Sequence, residues 1–303
     1  MQISTSQFYS QSNAQMSALT DAADLLQTQI STGKKLLAPS DDVVAYQRLQ
    51  SLSRAKANDS AYTGNISMAQ SLVDQSDTAL SSVTAQIQRA QELTVQANSG
   101  TLSDSGRQAI STELKSIVQT LASLANTKDA RGGALFGGTQ GGNPVTLNSD
   151  GTVTINDTGQ PAAIPIGDDQ SIVATDSAAR VFGGVQTASG TTDLFSIINT
   201  LVTALDSGGD ITAAASTAGD ALSAAADQVS STQASVGARG ARLDLVTSNM
   251  TDTAVTRETE RSSLEDTDVT AAITDLQKTM TILQATQASF TKLTSLSLFD
   301  YLK

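Results

Sequence analysis

The sequence contains no cysteine and no histidine, and those two absences remove most of the reactive chemistry open to a protein. Without thiolate or imidazole there are no disulfides, no Cys nucleophile, no haem-type His ligation and few ways to hold a transition metal. An oxidising compartment permits disulfides without requiring them, so the lack assigns no redox environment. Tryptophan is absent too, and aromatics amount to 3%. Lys and Arg form no cluster that would neutralise phosphates, which argues against nucleic acid as a partner. No run approaches eighteen apolar residues, so no membrane insertion is expected. The first thirty residues lack a basic start followed by a continuous apolar core, so no cleaved secretory signal is expected either.

What remains is a chain of 303 residues, rich in Ala, Ser, Thr and Gln, with net charge −12. That length predicts two or three domains. Small side chains suit slender seams between helices better than a thick globular interior. Of the ten aromatics, Phe8, Tyr9, Phe290, Phe299 and Tyr301 crowd into the two ends. Between Gly141 and Ser235 there are ten Asp and one base, Arg180, a net of −9. This acidic middle reads as a solvated outer surface.

The two ends carry matching heptad patterns. At the C-terminus, Val269, Ile273, Leu276, Met280, Leu283 and Phe290 step by three and four, with a polar interruption at Gln287. At the N-terminus, Tyr9, Met16, Leu19, Ala23, Leu26 and Ile30 keep the same spacing. Each is a helix that buries one narrow seam against another helix. The ends are therefore expected to pair, which makes everything between them an excursion out and back. Two isolated helices with such thin seams bury too little to be firmly ordered alone, and should gain order by packing against copies or relatives.

Within that excursion, Ala38-Pro39-Ser40-Asp41-Asp42 is a helix start, with Ser40 or Asp41 as the cap. Leu52, Ala55, Tyr62, Ile66, Ala69, Val73, Leu80, Val83, Ile87 and Ala90 then predict a long helix interrupted by a single Gly64. At about 1.5 Å per residue it would measure roughly 80 Å. Asp104 is the expected cap of a helix with its seam at Ile110, Leu114, Ile117, Leu121 and Leu124. From Gly132 to Thr191 the pattern shortens. Val145–Leu147 and Val153–Ile155 predict a β-hairpin, and Ile164–Ile166 and Ser171–Val173 predict further strands, with Pro165 at an edge. Helices resume after Thr192 or Asp193 as cap, with Leu194, Ile198, Leu201 and Leu205 on the seam, and again from about Ile211 to Arg261, with Leu222, Ala225, Val229, Val236, Leu243, Val246 and Met250. The fold class is mainly α: a long helical rod or coiled-coil bundle formed by N- and C-terminal segments together, with a small central β-rich insertion. The domains divide as 1–40 plus 265–303, 41–138 plus 190–264, and 139–189.

Apparent chemical motifs fail on their partners. Ser31-Thr32-Gly33-Lys34 matches S-x-x-K, but S-D-N and K-T-G are missing; a helix end with Gly as its stop is the better reading. Gly33-Lys34 is not a phosphate loop, because Thr28 stands where its first Gly belongs and Lys35 where its hydroxyl belongs. Gly132-Gly133 and Gly137-Gly138 follow no strand and read as a turn into the insertion. Asp168-Asp169 and Asp266-Thr267-Asp268 lack the spacing and Gly of a calcium loop and read as solvated acids and a helix cap. No pair of carboxylates stands out for hydrolysis. No enzymatic site, cofactor or metal is expected.

Four stretches together carry a resemblance: Gly33-Lys34-Lys35 through Pro39-Ser40-Asp41-Asp42, Asn126-Thr127 through Leu135-Phe136-Gly137-Gly138, Val236-Gly237-Ala238-Arg239, and Ser297-Leu298-Phe299-Asp300-Tyr301-Leu302. With them the chain resembles the flagellin superfamily over nearly its whole length outside the central insertion. The Ser-Leu-Phe tail is similar to those of its hook–filament junction members, and the start Met1-Gln2-Ile3-Ser4-Thr5 lacks the Ile-Asn-Thr-Asn of filament flagellins. The resemblance implies an inner coiled-coil layer from the paired ends, a middle layer of helical rods and an outer insertion. It implies a bacterial, extracellular, non-enzymatic junction protein with hook-associated protein 1 and flagellin as neighbours. It also implies self-association in a ring or tube, unfolded export through the flagellar type III apparatus, and a cytoplasmic export chaperone before secretion. The expected assembly interface comprises Met16, Leu19, Ala23, Leu26 and Ile30 with Ile273, Leu276, Met280, Leu283, Phe290, Leu298 and Phe299. Filament flagellin is the alternative; a flagellum-associated hydrolase, or a free-standing adhesin, is a more distant one.

Overall fold

The computed structural model describes residues 2–99, 102–156, 158–208 and 211–300, with side chains described between residues 6 and 292. The described chain is mainly helical. Its long elements are α1 (Gln2–Thr32), α2 (Val43–Ala97), α3 (Asp104–Ala125), α5 (Leu194–Ser207), α6 (Thr212–Glu265) and α7 (Val269–Asp300), with a short α4 (Ala178–Phe182). Six short strands lie between α3 and α5: β1 (Val145–Leu147), β2 (Val153–Ile155), β3 (Ala163–Gly167), β4 (Gln170–Val173), β5 (Val185–Thr187) and β6 (Gly190–Thr192). The chain divides into two compact units, Met1–Asn58 with Asp252–Lys303, and Asp59–Thr251. Helices α2 and α6 contribute to both. Among the described residues no helix is long and apolar enough to cross a membrane.

The unit Asp59–Thr251 holds the core. Ile66, Ala69, Val73, Leu80, Val83, Ile87 and Ala90 of α2 are buried. So are Ile110, Leu114, Ile117 and Leu121 of α3, Leu194, Ile198, Leu201 and Leu205 of α5, and Leu222, Ala225, Val229, Val236 and Leu243 of α6. These are the three/four stripes that the sequence predicts. Gly64 and Gly237 do not break their helices, and at Gly240 the α6 backbone passes close to Val73. Asp193 caps α5 by accepting from the Ser196 amide at 2.9 Å. The cap of α3 is Ser103 rather than Asp104: its hydroxyl accepts from the Gly106 amide, and Asp104 occupies the first turn instead. There the acid still complements the helix dipole.

The insertion consists of three separate antiparallel hairpins, β1–β2, β3–β4 and β5–β6. A lone hairpin is marginal in water, and each of these seats apolar residues on the helices. Ile164 and Ile166 of β3 alternate inward while Pro165 faces out, and the Pro165 carbonyl accepts from Asn65 of α2 at 2.8 Å. Tyr62 of α2 donates its hydroxyl to Asp168 in the β3–β4 turn at 3.0 Å, which raises the phenol's pKa. Asn126, at the end of α3, bonds both the amide and the carbonyl of Val145. Beneath them Phe136, Phe182 and Phe195 form a fully buried aromatic cluster, with successive centroids 5.8 and 5.5 Å apart. Hairpin β5–β6 and helix α4 are additions that the sequence pattern does not reveal.

Gly138 shows why the segment Leu135-Phe136-Gly137-Gly138 looks as it does. A Cβ there would lie 2.1 Å from the Thr158 carbonyl oxygen and 2.2 Å from that of Gly159. Backbone cannot retreat from such a contact as a flexible side chain would. Substituting Gly138→Ala should therefore destabilise the protein by about 3 kcal/mol or more, with a clear fall in Tm. Gly64 is the control, since it has open space around it within a helix. Gly64→Ala should stabilise by roughly 0.5–1 kcal/mol. Thermal unfolding of both variants checks the pair.

Candidate assembly interface

In the unit Met1–Asn58 with Asp252–Lys303, α1 and α7 pack against each other. Tyr9 meets Phe290 edge to face at 5.4 Å, and Phe8 sits edge-on to Tyr9 at 6.2 Å. Along α1 the half-buried positions include Tyr9, Met16, Leu19, Ala23, Leu26 and Ile30. Every member of the N-terminal seam thus lies on the partly covered face.

On α7 the covered face is Ala272, Leu276, Thr279, Leu283, Thr286 and Phe290, with Ala272 the only fully buried side chain of these two helices among the described residues. Leu276, Leu283 and Phe290 belong to the seam read from sequence. Ile273 and Met280 do not face α1: they are 42% and 47% exposed. Two heptad phases share Leu276, Leu283 and Phe290, and apolarity alone favours the one through Ile273 and Met280. The phase turned toward α1 uses small and β-branched residues instead. Val269, Ile273 and Met280 are left as an outward apolar row, with Ile282 also exposed. Leu298 and Phe299 lie outside the described residues.

The loop between α1 and α2 is tied to the turn between α6 and α7. Gly33 ends α1 at φ +70°, a conformation that suits glycine. Beyond it the Lys35 amide donates to the Glu265 carbonyl at 2.8 Å and the Thr267 amide donates to the Gly33 carbonyl at 2.9 Å. The Lys35 ammonium reaches the Ser263 carbonyl at 2.7 Å. Ser31 and Lys34 of the apparent S-x-x-K do unrelated work: Ser31 bonds the Thr28 carbonyl and Lys34 pairs with Glu265. Asp42, rather than Ser40 or Asp41, caps α2 by accepting from the Val44 and Ala45 amides. Asp41 folds back onto the amides of Leu37 and Ala38, which hold its carboxyl below the ordinary carboxylate range. Asp268 caps α7 through the Thr270 and Ala271 amides.

Around this tie lies a chain of ion pairs. Arg261 contacts Glu258, Glu265 and Asp266 at 2.9, 2.7 and 3.2 Å, while Arg48 grips Glu260 with two nitrogens. Lys34 beside Glu265, Arg261 beside Glu258 and Arg48 beside Glu260 each depress the pKa of the acid they pair with. Ser262, hydrogen-bonded to Asp266, does the same there. Sequence reasoning missed this cluster, although the close mixture of both signs in Arg257-Glu258-Thr259-Glu260-Arg261 signalled it. No group of three His, Cys, Asp or Glu suited to a metal ion occurs among the described residues.

Residues 3–141 match the bacterial flagellin N-terminal helical region, and residues 220–302 match the bacterial flagellin C-terminal helical region. The chain belongs to the flagellin family. Within it, the chain is 30% identical to flagellar hook-associated protein 3 of Escherichia coli over 91% of both chains. It is 28% identical to the protein of that name from Salmonella typhimurium over 99% of both. Its fold is similar to that of a putative flagellar hook-associated protein from Vibrio parahaemolyticus, with TM-score 0.66, 20% identity, and coverage of 75% of this chain and all of that one.

Acid should loosen the terminal unit. The paired carboxylates are lowered in the folded state, so their stabilisation is fully present above the unfolded values near 4–4.5. It is lost as pH falls through the lowered folded values. Protease resistance of the terminal segments should be constant from neutrality to about pH 5 and drop below about pH 4. In Arg261→Gln that drop should be smaller, because less stabilisation depends on those charges. Proteolysis at stepped pH reads both effects.

Proposed function

We propose that this chain is a structural junction subunit of the bacterial flagellum, joining the hook, through hook-associated protein 1, to the flagellin filament. The carrying observation is the α1–α7 pair, whose seam stays half-buried while Val269, Ile273, Met280 and Ile282 face outward. Apolar rows of this kind are covered when subunits pack side by side. The resemblance to flagellar hook-associated protein 3 over nearly the full length supports the junction over the bulk filament as the place of that packing. The segments 1–40 and 265–303 act by self-assembly in a ring or tube, segments 41–138 and 190–264 stiffen it, and the acidic insertion 139–189 is left to solvent. The chain acts without catalysis and is exported to the cell exterior. Before export a flagellar chaperone shields the C-terminal seam, including Leu298 and Phe299, from premature assembly.

Leu283→Asp tests this reading. Leu283 is half-buried on the covered face of α7, so an unpaired charge there should cost several kcal/mol of the α1–α7 packing on which assembly rests. Export should continue while junctions fail and flagellin is shed into the medium, read by immunoblot of the culture fluid. Normal motile filaments from the variant would contradict the assignment. Polymerisation of the purified chain alone into long filaments would instead identify a bulk filament subunit.

A further inference from the structure

In a chain of net charge −12, one cleft of the unit Asp59–Thr251 is positive. It has a volume of about 450 Å³ and lies between the β3–β4 hairpin, the start of α4 and the middle of α6. Arg180, Arg239 and Arg242 line it with one acid, Asp176, so it carries a net of +2. Asp176 is 5% exposed and is shared between two guanidinium groups, with Arg180 at 3.1 Å on one oxygen and Arg239 on the other. Arg239 spends most of its donors on the frame: the Ser235 carbonyl at 3.1 Å, Val173 at 3.0 Å and Thr175 at 3.2 Å, besides Asp176. Arg239 and Asp176 therefore hold the cleft together rather than await a ligand.

Arg180 and Arg242 differ. Arg180 commits one nitrogen to Asp176, and Arg242 has neither an ion pair nor a hydrogen bond among the described residues. The hydroxyl of Ser177 also lines the cleft and makes no cap to α4, although Ser177 stands at its N-cap position. Two guanidinium groups and a spare hydroxyl lining one concavity are the donors that a planar or tetrahedral oxyanion takes. We propose that this cleft is a binding site for an oxyanion, a phosphate or carboxylate group, held by Arg180 and Arg242 on the frame of Arg239 and Asp176. The group arrives either as a free solute or as an acidic side chain of a second copy of this strongly acidic chain.

Calorimetric titration of the full chain with inorganic phosphate at low ionic strength tests the site. Saturable one-to-one binding is expected, weakened at least about tenfold in Arg242→Gln, since a charge-assisted pair is lost. Arg131→Gln, outside the cleft, should bind as the parent does. The thermal unfolding of Arg242→Gln should be unchanged, because that side chain holds nothing else. Sedimentation then separates the sources. Self-association reduced by phosphate and by Arg242→Gln identifies a second copy's carboxylate; unchanged self-association identifies a free solute. Absence of saturable binding, or equal binding by parent and Arg242→Gln, overturns the proposal. None of these readings depends on whether filaments form at the hook.

Discussion

Helices α1 and α7 cover only one narrow stripe of each other, so little apolar burial holds the pair. Ordering a residue's backbone costs about 1–2 kcal/mol, and a helix offsets that cost chiefly through the apolar face it buries. Here the face is thin: Tyr9, Met16, Leu19, Leu276 and Leu283 are half-covered, and Ala272 alone is fully covered among the described side chains of the two helices. The hydrogen bonds from Lys35 and Thr267 across the loop fix where the pair begins. They add no apolar contact to the seam itself.

The unit Asp59–Thr251 solves the opposite problem. Its helices are rich in small residues, and its stability rests on long continuous stripes rather than bulky side chains. Three isolated hairpins are too small to fold separately, and two of them are pinned to helices by side-chain bonds: β1–β2 by Asn126, and β3–β4 by Asn65 and Tyr62. The buried Asp176 and Arg239 join the end of β4 to α6. Removing one partner of such a pair leaves an uncompensated charge inside the protein, so the pair fixes the geometry more than it adds net stability. That fixed geometry is what aligns the arginines of the cleft.

Much of this was legible in the sequence because helix periodicity is a local signal. The stripes of α2, α3, α5 and α6 and the hairpin Val145–Ile155 follow from spacing alone, and so does the pairing of the ends. Phase was not legible on α7. Leu276, Leu283 and Phe290 belong equally to two heptads, and the more apolar choice, through Ile273 and Met280, is the one turned away from α1. Caps were off by one residue, at Asp42 and Ser103, since neighbouring Ser and Asp offer equivalent oxygens to the same amides. Asp176 was read with the solvated acids. Its burial depends on Arg239, sixty-three residues away, which no local pattern connects to it.

Amide hydrogen exchange of the full chain, free in solution and then assembled, reads how firmly α1 and α7 are ordered in each state. In the free chain the amides of α1 and α7 should exchange roughly 100-fold or more faster than those of α3 and α5, and become slow on assembly. Equal protection of all four helices in the free chain would contradict it.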